Sequence, residues 1–177
     1  MKYRLIAGTI NRYPAEEGWE NLHLDASPRT IWHPDLNMGV QPEFVMDLAQ
    51  MTGIRNEQFD EVRLSHVLEH LTMARGVAAI GEVYRVLKPG GTLDIEVPDL
   101  DILCETWLNR YQVETDADLL QWFYSEDVPN MQDAHLNAHR YGYNERTLRH
   151  LLTSKGFKVD ERIPAGLGLR FKATKPS

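Results

Sequence analysis

Residues 59–98 have the sequence FDEVRLSHVLEHLTMARGVAAIGEVYRVLKPGGTLDIEVP, which predicts a strand, a helix and a second strand in succession. In the middle of this segment, apolar residues recur every three or four positions and therefore share one face of a helix. These residues are Val77, Ile80, Tyr84 and Leu87. Thr72 is a suitable N-cap, and Pro89-Gly90-Gly91 is expected to end the helix and turn the chain into the next strand. This order of elements is typical of a parallel α/β sheet.

Further strands and helices are predicted on both sides of this segment. The predicted strands are Lys2–Ala7, Asn21–Asp25, Phe44–Met46, Glu61–Ser65 and Thr92–Val97, and a Pro-rich loop is predicted over residues 27–42. A second helix is predicted over Leu100–Tyr111. A third helix should follow Asn144 and end at Gly156, with Leu148, Leu151 and Leu152 on one face. Two last segments, Phe157–Arg162 and Leu169–Ala173, are expected to form a closing hairpin.

The length and composition are those of an ordinary globular protein. The 177 residues fit one domain, residues 1–177, with its own hydrophobic core. No apolar run is long enough to cross a bilayer, so we expect no membrane span. The single cysteine, Cys104, excludes an internal disulfide, and the first apolar run is too short for a signal peptide, so we expect a cytoplasmic protein. The net charge of −7 argues against nucleic acid as a partner.

Two motifs in the central segment resemble those of a known family. Val67-Leu68-Glu69-His70-Leu71 and Arg85-Val86-Leu87-Lys88-Pro89-Gly90-Gly91 are together similar to the middle of class I methyltransferases that depend on S-adenosylmethionine (SAM). More narrowly, the chain resembles short methyltransferases often found beside glycosyltransferases. Further matches to that group are Gly18-Trp19-Glu20-Asn21, Asp25, His135, His139, Tyr141 and Gly156-Phe157.

The resemblance implies an α/β, Rossmann-like fold of the class I methyltransferase type. Its central sheet is mostly parallel with an antiparallel C-terminal hairpin strand, and helices on both faces make three layers. The N-terminal helix should be reduced, because the segment between the first two strands has room for about one to two helical turns. The sequence itself supports this fold class through its alternation of short strands and longer helices.

The same resemblance implies a SAM-dependent methyltransferase, with an oxygen of a small molecule or a glycan as the acceptor. A second hypothesis is a non-catalytic binding protein with this fold, because Ala7-Gly8-Thr9-Ile10 has one glycine where the family has a glycine-rich turn. An NAD-dependent oxidoreductase is disfavoured, since no Gly-x-Gly-x-x-Gly follows the first strand. The sequence leaves a homodimer open.

Six residues are candidates for binding SAM at the carboxyl ends of the strands. Asp25 is expected to accept hydrogen bonds from the ribose hydroxyls. The resemblance implies that Asp47 binds the adenine amine and that Leu48 covers the ring, although Asp47 also suits a helix N-cap. Gly8 is expected to let the backbone pass close to the methionine end of SAM. Ser65 or His66 should lie beside the methionine part or the methyl group.

Two histidines are candidates for the chemistry of an alcohol acceptor. Such an acceptor must lose a proton, which suits a histidine base near neutral pH, and His139 and His135 are the candidates. In a helix the two would share a face and, with Asp133, offer ligands to a metal ion, but we predict no metal site. The aromatic residues of the C-terminal half either line an acceptor site or pack in the core. These are Trp122, Phe123, Tyr124, Tyr141 and Tyr143.

Overall fold

The computed structural model describes residues 2–8, 19–25, 44–109, 116–124 and 138–177. These residues contain one sheet of seven strands in the order β3-β2-β1-β4-β5-β7-β6. The strands are β1 Lys2–Gly8, β2 Trp19–Asp25, β3 Phe44–Val45, β4 Phe59–Ser65, β5 Leu87–Pro98, β6 Lys158–Ala165 and β7 Gly168–Thr174. All seven strands correspond to segments that the sequence predicts. Six of them differ from the prediction by at most three residues at either end, whereas β5 begins at Leu87 rather than at Thr92.

The sheet is parallel except at one strand. β1 pairs in parallel with β2 and β4, and the parallel pairing continues to β3 on one side and to β5 on the other. β7 runs antiparallel to both of its neighbours, β5 and β6. The expected α/β class is therefore confirmed, and the described strands form a mostly parallel sheet with an antiparallel hairpin strand.

Four α-helices and one short 3-10 helix connect the described strands. The α-helices are α1 Met73–Val86, α2 Leu100–Asn109, α3 Asp116–Tyr124 and α4 Glu145–Ser154, and the 3-10 helix is Leu68–His70. α1, α2 and α4 lie where the sequence predicts them, whereas α3 was not predicted. The reduced N-terminal helix and the Pro-rich loop fall outside the described residues, and the three-layer arrangement stays a prediction. None of the described helices is long and apolar enough to cross a membrane.

The end of α1 differs from the prediction. Leu87 is not the last residue of the helical face but the first residue of β5, where it pairs with Phe59. Glu61 then pairs with Thr92, so Pro89-Gly90-Gly91 lies within a bulge of β5 rather than in a turn before it. Gly91 suits this bulge because a Cβ atom there would lie 2.8 Å from the carbonyl oxygen of Lys88.

The buried face of α1 is displaced around the helix from the face that the apolar spacing indicated. Val77 and Tyr84 are half-buried, and the fully buried positions are occupied partly by small residues. These positions are Gly76, Ala79, Ile80, Val83 and Val86. Small residues allow close packing: a Cβ atom on Gly76 would lie 2.7 Å from the hydroxyl of Tyr143, which the sequence placed either in the core or at an acceptor site.

The start of α4 is fixed by a reciprocal hydrogen-bonded cap. The Asn144 side chain accepts from the Thr147 amide at 2.9 Å, and the Thr147 hydroxyl bonds back to the Asn144 amide at 3.0 Å. Asn144→Ala is expected to lower the free energy of unfolding by about 0.5–2 kcal/mol, because the Thr147 amide at the helix start loses the side-chain oxygen that accepts from it. Urea unfolding followed by circular dichroism measures this loss.

Thr72 provides the matched control for this cap. It is the N-cap of α1, as predicted, but its side chain makes no capping hydrogen bond. Thr72→Ala should therefore change stability by less than Asn144→Ala. Equal losses in the two variants would show that the side-chain bonds of Asn144 are not what stabilises the start of α4.

Candidate functional site

The carboxyl ends of the parallel strands form one row at the edge of the sheet. Gly8 at the end of β1 pairs with Ser65 at the end of β4, and Asp25 at the end of β2 pairs with Val45 at the end of β3. The register between β1 and β2, which pairs Ala7 with Leu24, brings these two pairs side by side. The backbone thus places Gly8, Asp25 and Ser65 on neighbouring strands at one edge, and Asp47 follows two residues after Val45. In open α/β sheets this is the edge where ligands bind.

Ser65 carries an unsatisfied polar atom at this edge. Its side chain is fully buried, and its hydroxyl oxygen has no hydrogen-bond partner among the described residues. A buried hydroxyl without a partner is costly, so such a group commonly marks a place where a ligand or water supplies the missing bond. Ser65 pairs with Gly8 at the end of β1.

The side chains of Asp47 and Leu48 both contact other parts of the chain. One Asp47 oxygen accepts from the Ala49 amide at 2.8 Å, and the other bonds to the Arg75 guanidinium. Asp47 thus starts a turn rather than a helix. Leu48 is fully buried in the hydrophobic core, so its side chain offers no surface with which to cover an adenine ring.

His66 follows β4 in an unusual backbone conformation. Its φ of 54° lies in the left-handed region, which is costly for a residue with a side chain and recurs at functional sites. The ring nitrogen Nδ1 lies 3.2 Å from Glu69 Oε1, and Nε2 lies 3.6 Å from Glu96 Oε1. Burial would lower the pKa of His66, but the hydrogen bonds and charges of Glu69 and Glu96 outweigh it and raise the pKa to about 9. The imidazole is therefore a cation at neutral pH.

The 3-10 helix after His66 is the point where distant segments meet. The backbone carbonyl of Glu69 accepts from the amides of Arg140 and Tyr141 at 2.7 and 3.2 Å. These two bonds dock residues 138–143 onto the 3-10 helix and bring the rings of His70 and His139 to 4.8 Å between centroids. The end of α3 also contacts this region, because the ring of Trp122 packs edge-on against the ring of His66 with 5.9 Å between the ring centroids.

His139 is held in a defined orientation. Its Nδ1 lies 3.0 Å from the backbone carbonyl oxygen of Trp122. Because a carbonyl only accepts, Nδ1 carries the proton and Nε2 has the available electron pair. Burial is the largest influence on the pKa of His139 and lowers it, and the nearby His70 lowers it further, against the opposing charge of Glu69. His139 is therefore neutral at neutral pH, whereas His135 lies outside the described residues.

A cavity of about 230 Å³ opens beside these groups. Its wall combines aromatic rings from α3 and from the segment after it with the polar groups of Glu69 and His139, as is typical of small-molecule sites. The lining residues are Glu69, Pro98, Leu100, Leu103, Trp122, Phe123, His139, Arg140, Tyr141 and Gly142. Tyr124 and Tyr143 do not line it, and Tyr143 is instead buried.

The sequence analysis does not identify Glu96 as a site residue. It also does not predict that residues 138–143 dock onto the backbone of Glu69. Glu96 was read as an ordinary position of a strand, although Asp94 and Glu96 alternate with the buried apolar residues Ile95 and Val97. Charged residues in a central parallel strand are uncommon, and that pattern offered a usable indication. No local pattern indicated that Glu69 would receive hydrogen bonds from Arg140 and Tyr141.

Comparison with known proteins assigns this chain to a family. A family model described as a methyltransferase domain matches residues 7–95. A protein of Synechocystis sp. described as an uncharacterized methyltransferase is 36% identical over 84 residues, which are 48% of this chain and 39% of that protein. The match thus spans well under half the length of this relative.

Solved structures with a similar fold cover nearly the whole chain. A SAM-dependent methyltransferase from Methanosarcina mazei superposes with a TM-score of 0.65 at 22% identity, covering 98% of this chain and 92% of that one. A 1,6-didemethyltoxoflavin-N1-methyltransferase from Burkholderia thailandensis, solved with 1,6-didemethyltoxoflavin and S-adenosylhomocysteine, gives 0.59 at 18% identity, covering 98% and 71%. At these identities the likeness concerns the fold.

Proposed function

Because this chain belongs to the methyltransferase domain family, we propose that it transfers a methyl group from SAM to an oxygen atom of a small molecule or a glycan. The observation that carries the proposal is the juxtaposition of two features. The carboxyl ends of β1, β2 and β4 lie in one row, and a cavity with aromatic walls opens beside the 3-10 helix that follows β4. The first feature suits a nucleoside and the second suits an acceptor. Residues 1–177 act in this proposal as one domain.

The cofactor is SAM, and it lies along the row of strand ends. Asp25 accepts hydrogen bonds from the ribose hydroxyls, and Gly8 lets the backbone pass close to the methionine end. The unsatisfied hydroxyl of Ser65 and the His66 ring flank the same end. Asp47 lies beside the adenine, at the start of a turn that its side chain caps. The Leu48 side chain is buried in the core, where it supports that turn and does not cover the adenine ring.

The acceptor occupies the cavity, where His139 serves as the base. SAM supplies a methyl group on a positively charged sulfur, which is already a good leaving group. The chain must therefore align the acceptor oxygen and remove its proton. Trp122, Phe123 and Tyr141 hold the acceptor by stacking, and the electron pair on His139 Nε2 takes the proton. His135 remains a second candidate for this role.

Calorimetric titration with SAM and S-adenosylhomocysteine tests the cofactor assignment. The wild-type chain is expected to bind both, and Asp25→Ala should weaken binding by about 1–3 kcal/mol, because charge-assisted hydrogen bonds to the ribose are lost. Asp160→Ala is the matched control, since Asp160 is an exposed aspartate on β6 at the far end of the sheet.

Two results would contradict the proposal. A folded wild-type chain that does not bind SAM even at millimolar concentration would remove the enzyme assignment altogether. Equal SAM affinity in the wild type and in Asp25→Ala would remove Asp25 from the site. A screen of hydroxylated small molecules and glycans with methyl-labelled SAM then identifies the acceptor, and SAM binding without any transfer would favour the non-catalytic hypothesis.

A further inference from the structure

Three side chains at and beside the wall of the cavity are arranged like the ligands of a metal ion. Glu69, His70 and His139 each offer one potential ligand atom, and these atoms lie within 4.8 Å of one another. Glu69 and His70 are consecutive in the 3-10 helix, and His139 reaches them because the amides of Arg140 and Tyr141 bond to the Glu69 carbonyl. The grouping is therefore built by the fold rather than by chance contact between mobile surface side chains.

The cluster contains polar atoms that the chain itself does not satisfy. The Glu69 side chain is 2% exposed, and its Oε2 atom has no hydrogen-bond partner among the described residues. The same holds for the buried Nδ1 of His70 within that part of the chain. A buried carboxylate oxygen and a buried imidazole nitrogen without partners are costly, and a cation between them would supply what both lack.

The surroundings of the cluster are those of a metal site. His139 donates from Nδ1 to the Trp122 carbonyl, which directs its other nitrogen, Nε2, to a ligand. The second oxygen of Glu69, Oε1, is bonded to His66 Nδ1 at 3.2 Å. Metal-binding histidines and carboxylates are usually held in place by such outer hydrogen bonds.

We propose that Glu69, His70 and His139 bind a divalent transition-metal ion of the zinc class. Two imidazoles and one carboxylate are a common ligand set for such ions and leave a position for a water or a hydroxyl group. Glu69 and His139 line the cavity, so this open position faces the space assigned to the acceptor. The set differs from the His135, His139 and Asp133 grouping considered from the sequence.

The metal site does not depend on methyl transfer, because the three ligands can bind a cation whether or not SAM binds. A metal ion and the proton of an acceptor would compete for Nε2 of His139. The metal-bound chain is therefore expected to be unable to use His139 as a base.

Titration of the chelator-treated chain with zinc chloride, followed by calorimetry, tests this site. The wild type is expected to bind one Zn²⁺ per chain, and His70→Ala and Glu69→Gln should each weaken binding at least about tenfold. His150→Ala is the matched control, since it removes an exposed imidazole on α4, and it should bind Zn²⁺ as the wild type does. Thermal melting with and without Zn²⁺ gives a second readout, because an ion bound to the folded state raises the melting temperature.

The outcomes are distinct from those of the SAM titration. Failure of the wild type to bind a stoichiometric Zn²⁺ would overturn the metal site and leave the cofactor assignment untouched. Zn²⁺ affinity in both His70→Ala and Glu69→Gln equal to the wild type would also overturn it, since the ion would then lie elsewhere. If His70→Ala does not fold, Glu69→Gln keeps the test valid because it removes the charge and preserves the shape.

Discussion

His139→Ala is expected to lower the rate of methyl transfer by about 10²–10⁴-fold while SAM affinity stays at the wild-type value. The reason is that His139 lines the cavity, where its Nδ1 is held by the Trp122 carbonyl and its Nε2 has the available electron pair. An alanine leaves the acceptor proton without a positioned base but leaves the strand ends intact. The measurement is turnover with the acceptor that the methylation screen identifies, together with calorimetry of SAM.

His150→Ala serves as the control for this prediction, because it removes an exposed histidine of α4 that does not line the cavity. Turnover of His139→Ala within a few-fold of the wild type would exclude His139 as the base. A parallel loss of SAM affinity would show instead that the substitution disturbs the cofactor site.

Asp94→Ala is expected to lower the free energy of unfolding by about 3–5 kcal/mol. Asp94 is 4% exposed in the middle of the sheet and binds the guanidinium groups of both Arg63 and Arg170. The Arg170 contact is bidentate, at 2.9 and 2.7 Å. The alanine variant lacks the carboxylate that the guanidinium groups of Arg63 and Arg170 both bind. Removing one partner of a buried ion pair is strongly destabilising, because the remaining charge stays buried.

An exposed ion pair on the same sheet provides the comparison. Lys158, whose side chain is 76% exposed, lies 3.2 Å from Asp160 on β6. Lys158→Ala should cost less than about 1 kcal/mol, since water screens an exposed pair. Chemical unfolding of both variants measures the difference, and equal losses would show that burial does not set the strength of the Asp94 contacts.

Local patterns predict the strands and the places of three of the four described α-helices, because the forces that form them act between near neighbours. For α4, an N-cap at Asn144, three leucines on one face and a glycine after the last turn are all visible in the sequence, and Gly156 indeed has a φ of 96°. α3 has no comparable pattern. Its Phe123 packs against Trp107 of α2 at 6.4 Å, so part of its support comes from a contact that the local sequence does not display.

The candidate site is harder to predict because it is assembled from separated segments. The row formed by Gly8, Asp25 and Ser65 follows from parallel strands ending at one edge, and the sequence could place these residues. The meeting of Glu69 with His139 depends on two backbone hydrogen bonds to one carbonyl, which no spacing in the sequence reveals. Leu48 shows the reverse case: it was expected to cover a ligand ring beside Asp47, but its side chain is fully buried in the hydrophobic core.

The position of β7 has a consequence for how the chain matures. β7 follows β6 along the chain, yet it lies between β5 and β6 in the sheet, so among the described strands β5 has no partner on that side until Gly168–Thr174 has been synthesised and inserted. An open edge with unpaired N–H and C=O groups invites pairing with other chains. Truncation ahead of Gly168 would therefore favour aggregation and not a smaller folded protein, and during synthesis the nascent sheet exposes the β5 edge until β7 is in place.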